Sequence, residues 1–233
     1  MATLLSRALD LLYPPRCVAC GVFGQNLCEP CGDHLLLASG PGRCGRCGVR
    51  RDDEGRCSDC FGWRDLDGAR AAFEMEGAAR RVVHGLKFSG IRDLATDMAG
   101  ALRPVVEALG PDAIFPIPLH ARRRRQRGFN QAEVLFDRLG WPLPPGRLER
   151  VRPTASQVGL SASERRENVA GAFRYRGPAL KGATVAVLDD VVTTGATASE
   201  CARVLREHGA GRVYALAYGR APYRSPASGR SDG

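Results

Sequence analysis

The sequence predicts an α/β protein: a mostly parallel sheet flanked by helices, with a small N-terminal zinc-ribbon module of four-cysteine sites ahead of it. Three observations carry this. Apolar segments of strand and helix period alternate through residues 65–220. Among them, Val185-Ala186-Val187-Leu188 is an unbroken apolar run, which suits a strand covered on both faces, as in a parallel sheet. Before them, eight of the nine cysteines fall in four Cys-x-x-Cys pairs: Cys17/Cys20, Cys28/Cys31, Cys44/Cys47 and Cys57/Cys60.

The chain divides into a module over residues 1–64, a larger domain over 65–220, and a tail over 221–233 whose Pro, Ser and Gly content predicts disorder. Met1 to Leu12 is apolar but interrupted by Arg7 and Asp10, and no small-residue cleavage site follows. It therefore predicts an amphipathic helix and not a secretory segment. The cysteine stretch is too short and too Gly-rich to bury a large core without a staple. Two tetrahedral zinc sites, each of four cysteines, would supply one, and four thiolates leave no open position, so the zinc is structural. Arg16-Cys17-x-x-Cys20-Gly21 repeats as Arg43-Cys44-x-x-Cys47-Gly48, so neighbouring pairs are grouped as 17/20/28/31 and 44/47/57/60. Spacing alone leaves the crossed grouping, 17/20/44/47 with 28/31/57/60, open. A thioredoxin-like redox pair would need a βαβ context around a single Cys-x-x-Cys, which is missing here. Thiols kept for metal predict a reducing compartment, the cytoplasm.

The composition shifts near Trp63 to Gly68, where periodic apolar segments begin. Strands are expected near 69–75, 112–118, 184–190 and 212–219, and helices near 77–86, 91–109, 130–139, 162–169 and 197–208. Cys201 falls at helical spacing with Val204 and Leu205 and reads as a core thiol.

Asp189 and Asp190 follow Val185–Leu188 and so fall at a strand's carboxyl end, where open α/β sheets bind ligands. Paired carboxylates there accept hydrogen bonds from vicinal hydroxyls or hold hydrated Mg²⁺. Thr193-Thr194-Gly195-Ala196-Thr197 adds hydroxyls and closely approachable backbone N–H groups just before a helix, the chemistry of a phosphate cradle. Asp112 to Leu119 reads as a second strand ending in a Pro-punctuated turn. Arg122 to Arg125 and Arg127 then place five guanidiniums in six positions, either an anion site or a solvated basic face open to nucleic acid. Residues 153–173, polar and Gly-punctuated between core segments, read as a lid or as a surface loop and amphipathic helix. Lys87, one of only two lysines, reads either as a surface residue or as a group reaching the phosphates.

Residues 185–197 resemble the 5-phosphoribosyl 1-pyrophosphate (PRPP) signature of type I phosphoribosyltransferases. The resemblance implies that Asp189 and Asp190 face the ribose 2′- and 3′-hydroxyls, and that Thr193, Thr194, Gly195, Ala196 and Thr197 wrap the 5′-phosphate of Mg²⁺-PRPP. Ala196 stands where many members carry a second Gly. Pro118-Leu119, followed by Arg127-Gly128-Phe129-Asn130-Gln131, resembles the signature of ComF-type proteins, a family with GntX-like members. That implies a pyrophosphate loop at Pro118 and Leu119, with Arg127 in the motif and Asn130 and Gln131 opening the next helix. Gln157, Arg165 and Asn168 match the family's lid stretch, and Lys87 one further position. The resemblance runs from Leu12-Tyr13-Pro14-Pro15-Arg16-Cys17 to the PRPP signature. It implies a type I phosphoribosyltransferase-like fold and a PRPP-binding protein of DNA uptake or processing, with single-stranded DNA and DNA-uptake proteins as partners. The alternative it implies is an active phosphoribosyltransferase of nucleobase or nucleotide salvage. Neither acceptor nor oligomeric state is assigned.

The net charge of +9 fits phosphate-bearing partners without choosing among them. Aromatics make up 6% and do not interleave with the arginine run, which argues against a stacking platform for single strands there. No stretch approaches the roughly 20 apolar residues of a membrane span.

Overall fold

The computed structural model describes residues 14–52, 55, 57, 59–155 and 159–222. The expected N-terminal helix, Gln157, and the tail from residue 223 onward lie outside the described residues. In chain order the elements are α1 (Glu29–Asp33), β1 (Gly68–Glu74), α2 (Gly77–Phe88), α3 (Leu94–Leu109), β2 (Ala113–Pro116), α4 (Ala121–Arg127) and α5 (Gln131–Leu139). They continue with β3 (Arg147–Arg150), α6 (Ala162–Val169), β4 (Phe173–Arg176), β5 (Thr184–Val192), α7 (Ala196–Glu207) and β6 (Arg212–Arg220).

Four strands form one sheet in the order β1-β6-β5-β2, every neighbour parallel, as the unbroken apolar run of β5 predicts. Successive side chains alternate between its faces. Ile114, Ala186, Leu188, Leu216 and Tyr218 meet α2, α3 and α5 through Val82, Leu86, Leu94, Met98 and Leu135. On the opposite face Phe115, Val185, Val187, Val213 and Ala215 meet α7 through Cys201, Ala202 and Leu205. Cys201 is thus the core thiol expected. The antiparallel pair β3-β4 covers the same face with Leu148, Phe173 and Tyr175.

Helix α5, which follows β2, therefore lies on one face of the sheet and the helix after β5 on the other. Where neighbouring parallel strands send their chains to opposite faces, a crevice opens at their carboxyl ends. Here that crevice lies between β2 and β5 and carries Asp189 and Asp190 at its floor.

Three elements of the larger region differ from the sequence reading. The arginine run after His120 is helical: α4 has no apolar face to give it a period, yet arginine is a good helix former. His120 Nδ1 accepts the Arg122 N–H at 3.3 Å, and Gly128 ends the helix in the left-handed region at φ 80°. The strands β3 and β4 have four residues each, too short for alternation to stand out.

The cysteine module straddles β1. Val18 and Leu27 pack with the α2 side of the sheet, whereas Cys47, Cys60 and Trp63 belong to the α7-side core. Between them Leu36 to Ala38 runs along the outer edge of β1: Ala38 N–H donates to Ala72 O at 3.0 Å, and Glu74 N–H to Leu36 O at 2.7 Å. An otherwise open sheet edge is thereby covered.

Candidate functional site

β5 delivers two acids to the crevice from one strand end. Asp190 is buried, and its Oδ2 lies 2.9 Å from Lys87 Nζ, which arrives from the last turn of α2. Asp189 is half-buried, and its Oδ1 accepts the Asp190 N–H at 2.8 Å. Burial pushes the Asp189 carboxyl up to about 7, helped by the like charge of Asp190 and opposed by Lys87.

The next residues turn into α7 through Gly195, whose φ of 72° is left-handed, the region that favours glycine. Thr194 Oγ1 accepts the Ala196 N–H at 3.4 Å. Thr193, Thr194, Gly195, Ala196 and Thr197, with Asp189 and Ile117, line a recess of about 70 Å³ at the start of this helix. Ala196 is buried within its first turn, its methyl group accommodated. Backbone N–H groups, hydroxyls and a helix N-terminus together suit an anionic oxygen group.

The recess adjoins a cleft of about 1420 Å³, lined by Arg80, Lys87, Arg123, Arg127, Arg150 and Arg165, and on the acidic side by Glu76, Asp189 and Asp190. Pro118, Leu119 and Gln131 also line it. Arg127 stacks 5.3 Å above the Phe88 ring and donates from Nη1 to Gln131 Oε1 at 2.8 Å. Gln131 is 3% exposed and its Nε2 meets no hydrogen-bond acceptor among the described residues, leaving a donor in the cleft wall. Arg165 donates from Nη1 to Thr193 Oγ1 at 3.3 Å, so α6 bears directly on the loop of residues 193–197. Of the arginine run, Arg123 faces the cleft, whereas Arg124 is exposed and pairs with Glu133 at 3.1 Å.

The remaining sequence candidates have structural partners. Asn130 is buried as the cap of α5, accepting the Ala132 N–H at 3.1 Å and donating to Ile117 O at 3.0 Å, which pins the turn after β2. Asn168 bonds both backbone groups of Ala155, at 2.9 and 3.1 Å, and holds the loop before α6. Lys87 lines the cleft with its Nζ held against Asp190.

Three residues escaped the sequence reading. Arg150, at the end of β3, lines the cleft, and its cation lies 5.2 Å from the Phe173 ring centroid. Burial holds its guanidinium below the usual arginine range, with Arg123 adding repulsion, and its Nε lacks a hydrogen-bond partner among the described residues. Trp63 and Arg220 touch the loop of residues 193–197 from behind. Their signal in sequence is only a tryptophan three residues past the last paired cysteine and an arginine ending an apolar strand.

The cysteines gather as Cys17/Cys20/Cys28/Cys31 and Cys44/Cys47/Cys57/Cys60, the neighbouring grouping and not the crossed one. Tetrahedral zinc with Zn–S bonds of about 2.3 Å requires sulfurs about 3.8 Å apart. Cys20 and Cys28 are 3.6 Å apart, Cys44 and Cys60 3.8 Å, and Cys47 and Cys57 3.4 Å. Backbone N–H groups of Ala19 and Cys28 point at Cys17 Sγ, both at 3.4 Å, as donors to a thiolate do. Burial works against the Cys44 thiolate, yet the backbone N–H groups of Cys47 and Arg46 bring this thiol down to about 7. Both groups fit structural zinc.

Comparison with known proteins adds one family match, three relatives and one solved structure. The double zinc ribbon domain family matches residues 8–61. The DNA utilization protein YhgH of Salmonella typhi is 38% identical over 143 residues, covering 57% of this chain and 63% of that protein. The match thus spans somewhat under two thirds of that relative's length. Competence protein ComFC of Bacillus subtilis is 27% identical over 213 residues, 87% of this chain and 83% of that protein. Competence protein F of Haemophilus influenzae is 38% identical over 124 residues, 48% of this chain and 51% of its own. Among solved structures, orotate phosphoribosyltransferase from Aeropyrum pernix overlays on 59% of this chain and 62% of that one, at 23% identity and a TM-score of 0.32. Among the described residues no helix is long and apolar enough to cross a membrane.

Proposed function

Because the chain belongs to the ComF family, we propose that its crevice binds Mg²⁺-PRPP or a closely related phosphoribosyl ligand. The observation that carries this is the continuity of the β5 acids, the phosphate recess and the arginine-lined cleft on one sheet edge. Asp189 and Asp190 accept the ribose hydroxyls, the loop 193–197 holds the 5′-phosphate, and Arg123, Arg127 and Arg150 face the diphosphate. Mg²⁺ supplies charge neutralisation at the diphosphate oxygens when bound, and the two acids are the groups on this chain that would hold its water shell. In this reading residues 1–64 form the zinc-ribbon module and residues 65–220 the ligand-binding domain, working in the cytoplasm where thiols stay reduced.

The relatives' names speak of DNA utilization and competence. We place this chain in the same setting, binding a phosphoribosyl ligand while single-stranded DNA and DNA-uptake proteins are handled. The exposed arginines Arg122, Arg124 and Arg125 beside the cleft support a phosphate-backbone contact.

A second reading, phosphoribosyl transfer in salvage, is favoured by the three arginines on the diphosphate side. In that reaction the C1′–O bond breaks with its electron pair leaving on diphosphate, and an acceptor lone pair forms the new bond to C1′. Guanidiniums fixed before reaction stabilise the departing charge.

The test is thermal unfolding of the zinc-loaded protein with Mg²⁺-PRPP, ribose 5-phosphate and diphosphate in parallel. Ligand at one hundred times its dissociation constant adds about 2.7 kcal/mol. The largest shift is expected with PRPP, and release of diphosphate across a panel of nucleobases separates transfer from binding. An equal shift with every phosphate compound would contradict the reading.

A further inference from the structure

The back of the phosphate loop rests on the second ribbon. Trp63, 5% exposed, donates its indole N–H to the Thr194 carbonyl oxygen at 2.6 Å. Its ring lies so close under Gly195 that a Cβ there would sit 2.5 Å from the indole. Trp63 in turn follows Cys60 by three residues, its N–H donating to Cys60 O at 3.2 Å.

Arg220 makes a second connection. It is 2% exposed, and its guanidinium donates to Cys47 O at 2.7 Å, Val192 O at 3.1 Å and Thr193 O at 2.7 Å, and also to Ala221 O and to Asp59 at 3.2 Å. One buried cation thus binds the backbone of a zinc-ligand residue and two carbonyls at the start of the loop. Arg46 ties the rest of the ribbon together by donating to the carbonyls of Cys60, Trp63 and Leu66 at 3.2, 2.6 and 2.7 Å. The first ribbon makes a different contact: Val18 lies against α2 at Gly85, on the other face of the sheet.

We propose that Trp63 and Arg220 are positioning residues through which zinc at Cys44, Cys47, Cys57 and Cys60 holds the phosphate loop ready for a phosphorylated ligand. With zinc bound, Cys47 and Cys60 are fixed, and with them the donors that grip Thr193 and Thr194. Without it the loop loses its rear support while β5 itself stays in the sheet. The first zinc site plays no part in this. The coupling is reciprocal: a ligand that orders the loop also tightens zinc in the second site. The ligand half of this proposal rests on the function proposed above, whereas the loop half does not.

The test compares hydrogen exchange of the peptide spanning residues 191–199 in the wild type and three full-length variants, with zinc content measured for each. Trp63→Phe keeps a buried aromatic side chain at this position but removes the five-membered ring of the indole together with its N–H. Cys44→Ser empties the second site, and Cys20→Ser the first. Trp63→Phe is expected to retain two zinc ions per chain yet speed exchange of the loop by about tenfold, the effect of losing one well-formed hydrogen bond. Cys44→Ser should speed it at least as much, and Cys20→Ser should leave it within about twofold of wild type. Unchanged exchange in Trp63→Phe, or equal acceleration in Cys20→Ser, would overturn the coupling.

Calorimetry with Mg²⁺-PRPP then judges the ligand half. Weaker binding in Trp63→Phe at full zinc content is expected, as is slower zinc loss to a chelator from Cys20→Ser when PRPP is present. Wild type that fails to bind PRPP would refute the function proposed above, and the exchange result would still decide the coupling.

Discussion

Lys87 Nζ lies 2.9 Å from Asp190 Oδ2, so helix α2 neutralises the second acid of β5 across the crevice. The contact is ionic in character, since that carboxylate oxygen has no partner in hydrogen-bond geometry among the described residues. An oxygen so placed keeps acceptor capacity for a ligand hydroxyl while its charge is balanced.

Lys87→Met should therefore destabilise the protein by leaving a buried carboxylate without its cation. The side chain of Lys87 is 24% exposed and that of Asp190 5%, so the loss should fall below that of a fully buried pair, at about 2 kcal/mol at pH 7. Urea unfolding measures it. Adding Asp190→Asn to Lys87→Met should recover most of the loss, because the charge left alone is then gone.

The raised Asp189 carboxyl gives opposite pH trends for stability and binding. Its proton is held up to about 7 in the folded chain, but is lost near 3.8 when unfolded. Stability from this group is greatest below pH 4 and disappears as pH rises through about 7. A ligand hydroxyl or hydrated Mg²⁺ requires the ionised form, so affinity for Mg²⁺-PRPP should rise by up to about tenfold per pH unit toward 7 and then level off. Calorimetry from pH 5.5 to 8 in wild type and Asp189→Asn isolates this part from the ligand's own titration. Parallel slopes in the two proteins would count against it.

Arg150→Met should separate binding from folding. Burial disfavours this cation and Arg123 repels it, so an apolar replacement of similar length should leave thermal stability equal or slightly higher. Affinity for free diphosphate should fall about tenfold or more, on the scale of a charge-assisted hydrogen bond.

The two four-cysteine groups predict two zinc ions per purified chain, measurable by elemental analysis. Chelation should abolish the ordered ribbons, because this short segment holds few buried apolar residues besides its thiols. The four-stranded sheet has its own core on both faces and should keep its far-ultraviolet circular dichroism.

The sheet was legible because its strands and helices carry long apolar periods: β5, α3 and α7 stand at their expected places to within a few residues. The zinc grouping was legible from the repeat Arg-Cys-x-x-Cys-Gly. Helix α4 was not, since Ala121 and six polar residues show no apolar face and only its caps make it a helix. Arg150 was hidden in a four-residue strand with a single apolar residue, Leu148. Trp63 and Arg220 were illegible for another reason. Their meaning lies in contacts across 131 and 173 residues, to Thr194 and to Cys47, which no local pattern encodes. Asn130 and Asn168 stand in the motif stretches, and the structure gives both of them backbone partners.

The most direct test is calorimetric titration of the zinc-loaded protein with Mg²⁺-PRPP, beside the double variant Asp189→Asn and Asp190→Asn. The account predicts saturable one-to-one binding by wild type and its loss in the double variant, which should retain two zinc ions and native circular dichroism. Equal affinity in the two proteins would contradict the assignment of the β5 acids.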